Sequence, residues 1–236
     1  MEKFQPGPSR KASWERFFNL FIKKNCRSIT RELQYEHLKT LKLDGRLLDV
    51  GGGEQADYRQ FLNCLSYKSV NINPEMQPTW LTQVGDNFDH IDELFDFVIS
   101  LNTFEHVLDA EKLLNNVSAV LRDGGRFYAA TPFLYPVHGS PDDFFRPTGS
   151  WWFEILSRNG FEDIKITPLV WGPFTTGATC SGLPGPFKSL RTLISLVLDV
   201  VYVGLKFNGH EQINGLNGTS FQNCALSYFI EAQKFE

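Results

Sequence analysis

The stretch that most constrains the fold is residues 47–53, with the sequence Leu-Leu-Asp-Val-Gly-Gly-Gly. Its first four residues are mostly apolar, as expected for a short buried strand, and the strand ends abruptly at glycines. Three glycines leave no side chains in the turn, so a ligand can lie directly against the backbone while a helix begins beneath it. The stretch therefore predicts an open α/β sheet with a ligand crevice at the carboxyl ends of its parallel strands.

Three interpretations of this turn stay open. Gly51, Gly53 and Ala56 satisfy the Gly-x-Gly-x-x-Gly/Ala spacing of dinucleotide-binding turns. That pattern also needs an acid about 20 residues further on, whereas the expected second strand ends at Asn71. The second interpretation is a site for S-adenosylmethionine, because the carboxylate of Asp49 just before the glycines can face a cationic methionine moiety. The third is a glycine-rich turn with a purely structural role.

Composition and charge limit the function classes. The 236 residues are 42% hydrophobic and 21% charged, which suits one globular α/β domain with additions. A net charge of −4 argues against nucleic-acid binding. The cysteines are widely spaced, so no metal site is expected. The amino terminus has no secretory signal and no run of about 18 apolar residues occurs, so a cytoplasmic location without a membrane span is expected.

Basic and aromatic residues crowd the amino-terminal region. Residues 1–46 hold 11 Lys or Arg against 5 Asp or Glu. The aromatic residues that recur at helical spacing are Trp14, Phe17, Phe18 and Phe21. Residues 1–43 are therefore predicted to form a loose tail, residues 1–10, followed by a basic helical lid. The basic face of this lid can be solvated, or it can contact a membrane surface or an anionic substrate.

Residues 44–236 alternate predicted strands and helices, which indicates a parallel sheet with right-handed crossovers. The predicted strands are residues 47–50, 69–72, 80–84, 95–100, 126–131, 162–167 and 224–232. The predicted helices are residues 58–65, a helix that begins at Asp109 and ends at Gly124, residues 150–159, and residues 190–205.

The last of these helices is very apolar and is interrupted by Asp199. It lies in an insertion, residues 170–218, where Gly and Pro are frequent. Its apolar face can pack on the sheet, on a second copy of the chain in a homodimer, or on a membrane surface, which would make the protein peripheral to the membrane.

Five motifs in order resemble those of the class I S-adenosylmethionine-dependent methyltransferases. Besides residues 47–53, they are Asn71-Ile72-Asn73-Pro74-Glu75-Met76, Gly85-Asp86, residues 95–100 with Phe104-Glu105-His106-Val107, and residues 121–126. The loop at residues 133–148 is similar to that of methyltransferases associated with polysaccharide and sugar biosynthesis. The resemblance implies a Rossmann-like, seven-stranded, mostly parallel sheet with helices on both faces and an antiparallel last strand. It also implies S-adenosylmethionine as the cofactor.

The resemblance places the cofactor-binding residues at the ends of several strands. Those expected at the methionine portion are Asp49, Gly51, Gly52 and Gly53. Those expected along the ribose, the adenine and the methyl group are Asn71, Ile72, Asp86, Asn87, Ser100, Leu101 and Asn102. Asn71 departs from the acid that is usual in the family, and its amide lacks the charge-assisted strength of a carboxylate toward a hydroxyl.

Methyl transfer from a sulfonium is an in-line displacement, so alignment of the acceptor matters most. A hydroxyl acceptor also needs a base, and the predicted catalytic residues are His106, His138 and Asp142. The predicted acceptor-binding residues are Tyr135 and Arg146. Structural roles are the alternative: Glu105 and His106 can begin a helix, and Asp142 can pair with Arg146 to pin the loop.

The sequence therefore predicts a methyltransferase that acts on a small-molecule, sugar-containing or lipid-linked acceptor at oxygen. One rival is a catalytically silent binding or scaffold protein with the same fold, which the amide at position 71 and the apolar helix favour. The other is a nicotinamide-dependent oxidoreductase, against which the missing acid counts.

Overall fold

The computed structural model describes residues 4–22, 28–139, 142–182, 186–207, 212–213 and 222–235. Its central sheet has seven strands, namely β1 (Leu43–Val50), β2 (Cys64–Asn71), β3 (Trp80–Leu81), β4 (Phe95–Leu101), β5 (Leu121–Pro132), β6 (Phe161–Leu169) and β7 (Ser227–Lys234). Their order across the sheet is β3-β2-β1-β4-β5-β7-β6. Only β7 runs antiparallel, to both β5 and β6. The predicted Rossmann-like, mostly parallel sheet is confirmed.

Helices cover both faces of this sheet, as predicted. They are α1 (Trp14–Phe17), α2 (Ile29–Leu38), α3 (Ala110–Val120), α4 (Gly149–Arg158), α5 (Pro173–Cys180) and α6 (Lys188–Lys206). Successive side chains of β1 explain the two layers, because they point to opposite faces. Leu47 packs in one core with Leu33 of α2 and Val200 of α6, whereas Leu48 packs in a second core with Leu114 of α3.

The strand order reverses between β1 and β4. The chain leaves β1 toward β2 and β3 on one side, and returns to place β4 on the other side. In open α/β sheets, such a reversal leaves a crevice at the carboxyl ends of the strands. The sheet therefore positions a ligand site next to the glycines that follow β1.

Residues 58–65 do not form the predicted helix. A short 3-10 turn covers Arg59–Phe61, and Cys64 already pairs with Leu43 in the sheet. Hydrogen bonding to the neighbouring strand outweighs the helical pattern of these few residues.

The helix after Asp109 begins as predicted and ends earlier than predicted. The Asp109 carboxylate accepts a backbone hydrogen bond in the first turn of α3. The helix ends at Val120, and Leu121 already belongs to β5. Residues 122–125 bulge out of the pairing between β4 and β5, and Gly124, with φ of 72°, permits this bend rather than ending the helix.

Asp199 does not interrupt α6, which runs through it. Its carboxylate is buried and accepts hydrogen bonds from the backbone N–H groups of Phe174 (3.0 Å) and Thr175 (2.7 Å). These N–H groups lie in the first turn of α5 and have no partner within their own helix. The acid in the apolar helix therefore fixes the start of α5 instead of breaking α6.

The amino-terminal tail is docked rather than loose over residues 7–10. The Gly7 N–H donates to the Ile166 carbonyl at 2.7 Å, and the Ser9 hydroxyl donates to the Pro168 carbonyl at 2.8 Å. Residues Ser9–Arg10 also pair with Gln212–Ile213 in a two-stranded sheet. The prediction of a loose tail is wrong for these residues.

The predicted helical region begins with α1 and continues as a π-helical turn, Phe18–Ile22. Residues 23–27 of the predicted lid lie outside the described residues. Some of the basic side chains of this region make contacts within the fold. Arg16 forms an ion pair with Glu36 at 2.6 Å and lies over the Trp171 ring. These contacts give this arginine a structural role.

One side of α6 carries exposed apolar side chains, which include Leu190, Leu193, Ile194, Leu198 and Val201. The predictions that this side contacts a second copy of the chain or a membrane surface stay predictions. Among the helices of the described residues, none combines the length and the apolar character that crossing a bilayer would need.

Candidate functional site

The glycine turn after β1 is packed too tightly for side chains. Gly51 has φ of 89°, a conformation that favours glycine, and a Cβ there would collide with the Thr103 side chain. A Cβ on Gly53 would collide with the backbone carbonyl of Met76. The turn therefore brings bare backbone to the carboxyl end of the sheet.

Asn71, at the end of β2, holds this turn in place. Its side-chain amide donates to the carbonyl of Gly51 at 2.7 Å and to the carbonyl of Gly52 at 2.9 Å. Its side-chain oxygen accepts from the N–H of Asn73 at 3.0 Å. The residue that the family resemblance placed at the ribose is thus engaged by the protein through both its amide nitrogen and its oxygen.

Asp49 lies behind the turn, fully buried. Its two carboxylate oxygens accept hydrogen bonds from the hydroxyls of Tyr58 (3.1 Å) and Tyr67 (2.8 Å). Burial raises the pKa of Asp49 to about 7, although the two hydroxyls offset part of this effect. Tyr58 lines the neighbouring cavity. Asp49 therefore affects the cavity indirectly, by orienting the Tyr58 side chain.

A cavity of about 1050 Å³ opens at the carboxyl ends of β1, β2 and β4. The predicted site residues that line it are Gly51, Asn71, Ile72, Asp86, Leu101, Asn102, His106 and His138. Those that lie outside its walls are Asp49, Gly52, Gly53, Asn87, Ser100, Tyr135, Asp142 and Arg146. Ser100, for example, is buried and donates its hydroxyl proton to the Val50 carbonyl at 2.9 Å.

Residues 82–88 form one wall of the cavity, where the adenine was expected. The Asp86 carboxylate shapes this wall, since it accepts from the Thr82 hydroxyl (3.1 Å) and from the Gln83 N–H (2.8 Å). Asn116 of α3 donates to the Asp86 carbonyl at 2.9 Å. Asn87 points away from the cavity, toward Asp89.

The opposite wall joins the amino-terminal region to the loop after β4. The side-chain amides of Gln34 and Asn102 form a reciprocal pair, with distances of 2.8 and 3.0 Å. Asn102 adopts φ of 54°, so the loop turns back toward α2. Arg31 and Tyr35 of the same helix then reach the cavity wall.

The described parts of the 133–148 loop, residues 133–139 and 142–148, pack against the short 3-10 turn Phe104–His106. The rings of His106 and His138 lie 5.1 Å apart between centroids, at an interplanar angle of 86°. The Nδ1 atom of His106 lies 2.5 Å from the backbone carbonyl of Asp142. Two imidazoles from distant parts of the sequence therefore meet at the cavity wall.

The ion pair that pins this loop involves a different acid from the predicted one. Arg146 pairs with Asp143, not with Asp142, and donates to it from both terminal guanidinium nitrogens, Nη1 and Nη2. This pairing lowers the pKa of Asp143 to about 2. The Asp142 side chain is exposed, and this residue contributes its backbone carbonyl instead.

Glu105 is the unusual group of the site. Its side chain has no exposed surface, and neither oxygen has a hydrogen-bond partner on another described residue. Burial raises the pKa of Glu105 to about 8. Its Oε1 atom lies 3.6 Å from Nε2 of His106.

The sequence interpretation missed several residues that build the cavity. They include Gln34, Tyr35, Tyr58, Tyr67 and Asp143. The adjacent acids at positions 142 and 143 were visible in the sequence, but their pattern does not distinguish which one meets Arg146. Gln34 and Tyr67 reach the site through contacts with residues far away in the sequence, so no local sequence pattern identifies them.

Comparison with known proteins agrees with this architecture. Residues 18–165, more than half of the chain, match the sequence model of a family described as "Methyltransferase domain". A protein solved in complex with the Haloferax volcanii Trm112 methyltransferase activator matches at 14% identity and a TM-score of 0.53, over 88% of this chain and 90% of that chain. The YcgJ protein of Bacillus subtilis matches at 16% identity and a TM-score of 0.50, over 87% of this chain and 99% of that chain.

Phosphoethanolamine N-methyltransferase 2 of Haemonchus contortus, solved with S-adenosyl-L-methionine, matches at 17% identity and a TM-score of 0.49. The match covers 95% of this chain and 56% of that chain, so this chain spans little more than half of the length of that protein. A search of curated proteins found no match. At these identities the solved structures show the fold alone, whereas the sequence match over residues 18–165 shows that the chain belongs to the methyltransferase domain family.

Proposed function

We propose that this chain is an S-adenosylmethionine-dependent methyltransferase that methylates an oxygen of a small-molecule or sugar-containing acceptor. The observation that carries the proposal is the cavity at the carboxyl ends of β1, β2 and β4, in a chain of the methyltransferase domain family. When bound, the cofactor supplies a methyl group on a positively charged sulfur. The chain has to hold that cofactor, align the acceptor and exclude water.

The cavity fits such a cofactor in size and in chemistry. Small-molecule sites usually measure about 300–1000 Å³, so about 1050 Å³ leaves room for the cofactor and part of an acceptor. Its walls combine bare backbone at Gly51 with apolar contacts from Ile72 and Leu101, and with the polar segment 82–86. Because Asn71 is engaged with the glycine turn, we place the ribose along the neighbouring residues 72 and 73, which also line the cavity.

The choice of oxygen rests on the imidazoles of His106 and His138. With its Nδ1–H donated to the Asp142 carbonyl, His106 keeps a lone pair on Nε2. Such a lone pair can take up the proton that a hydroxyl loses as it attacks. A neutral amine or a carboxylate acceptor would need this assistance less.

A sugar-containing or lipid-linked acceptor is the finer part of the proposal. Its ground is the sequence resemblance of the 133–148 loop to that of methyltransferases associated with polysaccharide and sugar biosynthesis. The exposed apolar side chains of α6 support contact with a membrane surface, where a lipid-linked acceptor would lie.

Photochemical labelling tests the location of the site. Ultraviolet irradiation of the full chain with methyl-labelled S-adenosylmethionine should attach label to peptides that contain residues 71–88 or 100–107. Excess S-adenosylhomocysteine should abolish the labelling. Label in other peptides, or label that resists this competitor, would contradict the assignment.

Transfer of the labelled methyl group to sugar nucleotides or glycolipid precursors tests the activity. Transfer to any of these acceptors would rule out a catalytically silent scaffold. Cofactor binding without transfer across the whole panel would favour the scaffold instead.

A further inference from the structure

We propose that Glu105, His106 and His138 bind a divalent transition-metal ion, such as Zn²⁺, at the cavity wall. Each residue offers one ligand atom, and these three atoms lie within 4.8 Å of one another. Glu105 and His106 belong to the turn after β4, and His138 comes from the 133–148 loop. No metal-binding motif is visible in the sequence at these positions, because the three residues come together only in the folded chain.

The first support is the buried carboxylate of Glu105. A buried polar group without a hydrogen bond is costly, and a buried charge is more so unless it is paired or coordinates a metal. Both oxygens of Glu105 lack a partner on any other residue that the structure describes. One of them faces Nε2 of His106 at 3.6 Å. A cation between these two atoms would give this carboxylate the partner that no other described residue supplies.

The second support is the orientation of the imidazoles. Nδ1 of His106 lies 2.5 Å from the Asp142 carbonyl. Nδ1 of His138 lies 3.2 Å from the Pro136 carbonyl and 3.4 Å from an Asp143 oxygen, and these two acceptors outweigh the single donor near it, Nη2 of Arg146 at 3.4 Å. Metal-binding histidines usually donate one ring N–H to such a partner, which fixes the tautomer and leaves the other nitrogen free to bind. Both rings therefore present Nε2 as the available ligand atom.

Geometry and charge agree with this assignment. Ligands at about 2.1 Å from a tetrahedral Zn²⁺ lie about 3.4 Å apart. The most widely separated of the three atoms must therefore approach by up to about 1.4 Å, and the His138 side chain, 38% exposed, has room to move. Arg146 is already neutralised by Asp143, so a divalent cation supplies the counter-charge that an ionised Glu105 needs.

Two histidines, one carboxylate and an open position form a donor set of catalytic zinc sites. Because His106 and His138 line the cavity, the open position would face it. An acceptor oxygen bound there would lose its proton to solvent more readily. In this form of the site the imidazoles are ligands rather than bases. This role of the metal in methyl transfer rests on the proposed function, whereas the proposed binding of the metal does not.

Calorimetric titration with ZnCl₂ tests the inference. The full chain is stripped with a chelator and desalted, and then titrated as wild type, Glu105→Gln, His138→Ala and His90→Ala. His90 is an exposed histidine outside the cluster, so its variant is the matched control. We expect one equivalent of Zn²⁺ to bind to the wild type and to His90→Ala, and affinity to fall by roughly 100-fold in the other two variants. Thermal melting of each variant checks its folding. If Glu105→Gln fails to fold, His138→Ala still tests the metal site, because the His138 side chain is partly exposed.

Loading with Co²⁺ gives a second readout. Visible absorption without thiolate-to-metal charge transfer would exclude the cysteines as ligands. Absence of a one-equivalent site in the wild type, or wild-type affinity in a folded Glu105→Gln or His138→Ala variant, would overturn the inference. Titration of the same samples with S-adenosylhomocysteine separates the two proposals, because cofactor binding without Zn²⁺ binding leaves the proposed function intact, and the converse leaves only the metal site.

Discussion

At the scale of single residues, buried polar side chains set the shape of the candidate site. Asn71 ties down the glycine turn, and Asp49 holds Tyr58 against the cavity. The sequence marked both positions because they flank the glycines and the end of β2. It could not show what they contact, because their partners are backbone carbonyls and tyrosines that only the folded chain brings near.

Asn71→Asp distinguishes a ligand contact from a structural role. A carboxylate cannot donate to the carbonyls of Gly51 and Gly52, so two buried hydrogen bonds would be lost. We expect the free energy of unfolding to fall by about 1–3 kcal/mol, and the affinity for S-adenosylhomocysteine to fall about tenfold or more. Thermal melting and calorimetry measure the two effects.

The matched control is Asn63→Asp. Asn63 is exposed and lies outside the cavity wall, so the same change from amide to carboxylate should leave both stability and cofactor affinity unchanged. Stronger cofactor binding by Asn71→Asp would contradict the account, because it would mean that position 71 contacts the ribose directly.

Asp49 gives a pH dependence whose sign follows from its pKa. Burial raises the pKa to about 7 in the folded state, whereas an unfolded Asp titrates near 3.9. The folded state therefore binds this proton more tightly, so its stability falls as pH rises from about 4 to about 7. Asp49→Asn removes this dependence.

Urea denaturation of wild type and Asp49→Asn at several pH values between 4 and 8 tests this sign. The stability of the wild type relative to the variant should decrease by at most about 4 kcal/mol across this range. Other groups with raised pKa values, such as Glu105, cancel in the comparison. If the free energy of unfolding changed with pH in the same way in both proteins, Asp49 would be ionised in the folded state across this pH range. That result would contradict the prediction.

At the scale of elements, most of the sheet was predictable from short apolar runs bounded by glycine, proline or a cap. Two boundaries were not. The residues from Cys64 onward belong to β2 because they pair with β1. Leu121 belongs to β5, which begins directly after α3 ends. Local patterns describe one segment at a time, whereas strand pairing depends on a partner elsewhere in the chain. Asp199 is a similar case, because its role as a cap for α5 is set by an element 25 residues away.

Hydrogen bonds of Gln34 contribute to the docking of α2. Gln34→Leu would leave the partly buried Asn102 amide without its partner and would also remove the 2.9 Å hydrogen bond from Gln34 to the Ser227 hydroxyl. We expect hydrogen exchange of the amides of residues 29–38 to rise about tenfold or more, because the helix would open more easily. Affinity for S-adenosylhomocysteine should fall as well, since Arg31 and Tyr35 belong to the cavity wall.

Gln60→Leu is the control for this variant, because Gln60 is exposed and donates only to the Asp57 carbonyl. Unchanged exchange of α2 in Gln34→Leu would show that its apolar contacts alone hold the helix.

At the scale of the whole molecule, one ordered set of motifs was enough to predict the sheet, its antiparallel last strand and the edge where the cavity lies. The wall formed by α2 and the cluster of Glu105 with two histidines were not predictable, because they depend on how remote segments pack. The fold places bare backbone, the polar segment 82–86 and two imidazoles around one cavity. That arrangement is what a transfer between a bound cofactor and an acceptor requires.

Calorimetric titration of the full chain with S-adenosylhomocysteine tests the central claim most directly. The variant Ile72→Trp should obstruct the cavity, because Ile72 lines it and is partly exposed. Leu65→Trp, on the strand β2 that directly precedes Ile72, is the matched control, since Leu65 is 83% exposed and lies outside the cavity wall. We expect the wild type and Leu65→Trp to bind one equivalent at micromolar strength, about −8 kcal/mol, and Ile72→Trp to bind about tenfold or more weakly. No binding by the wild type, or equal binding by Ile72→Trp, would contradict the assignment of this cavity to the cofactor.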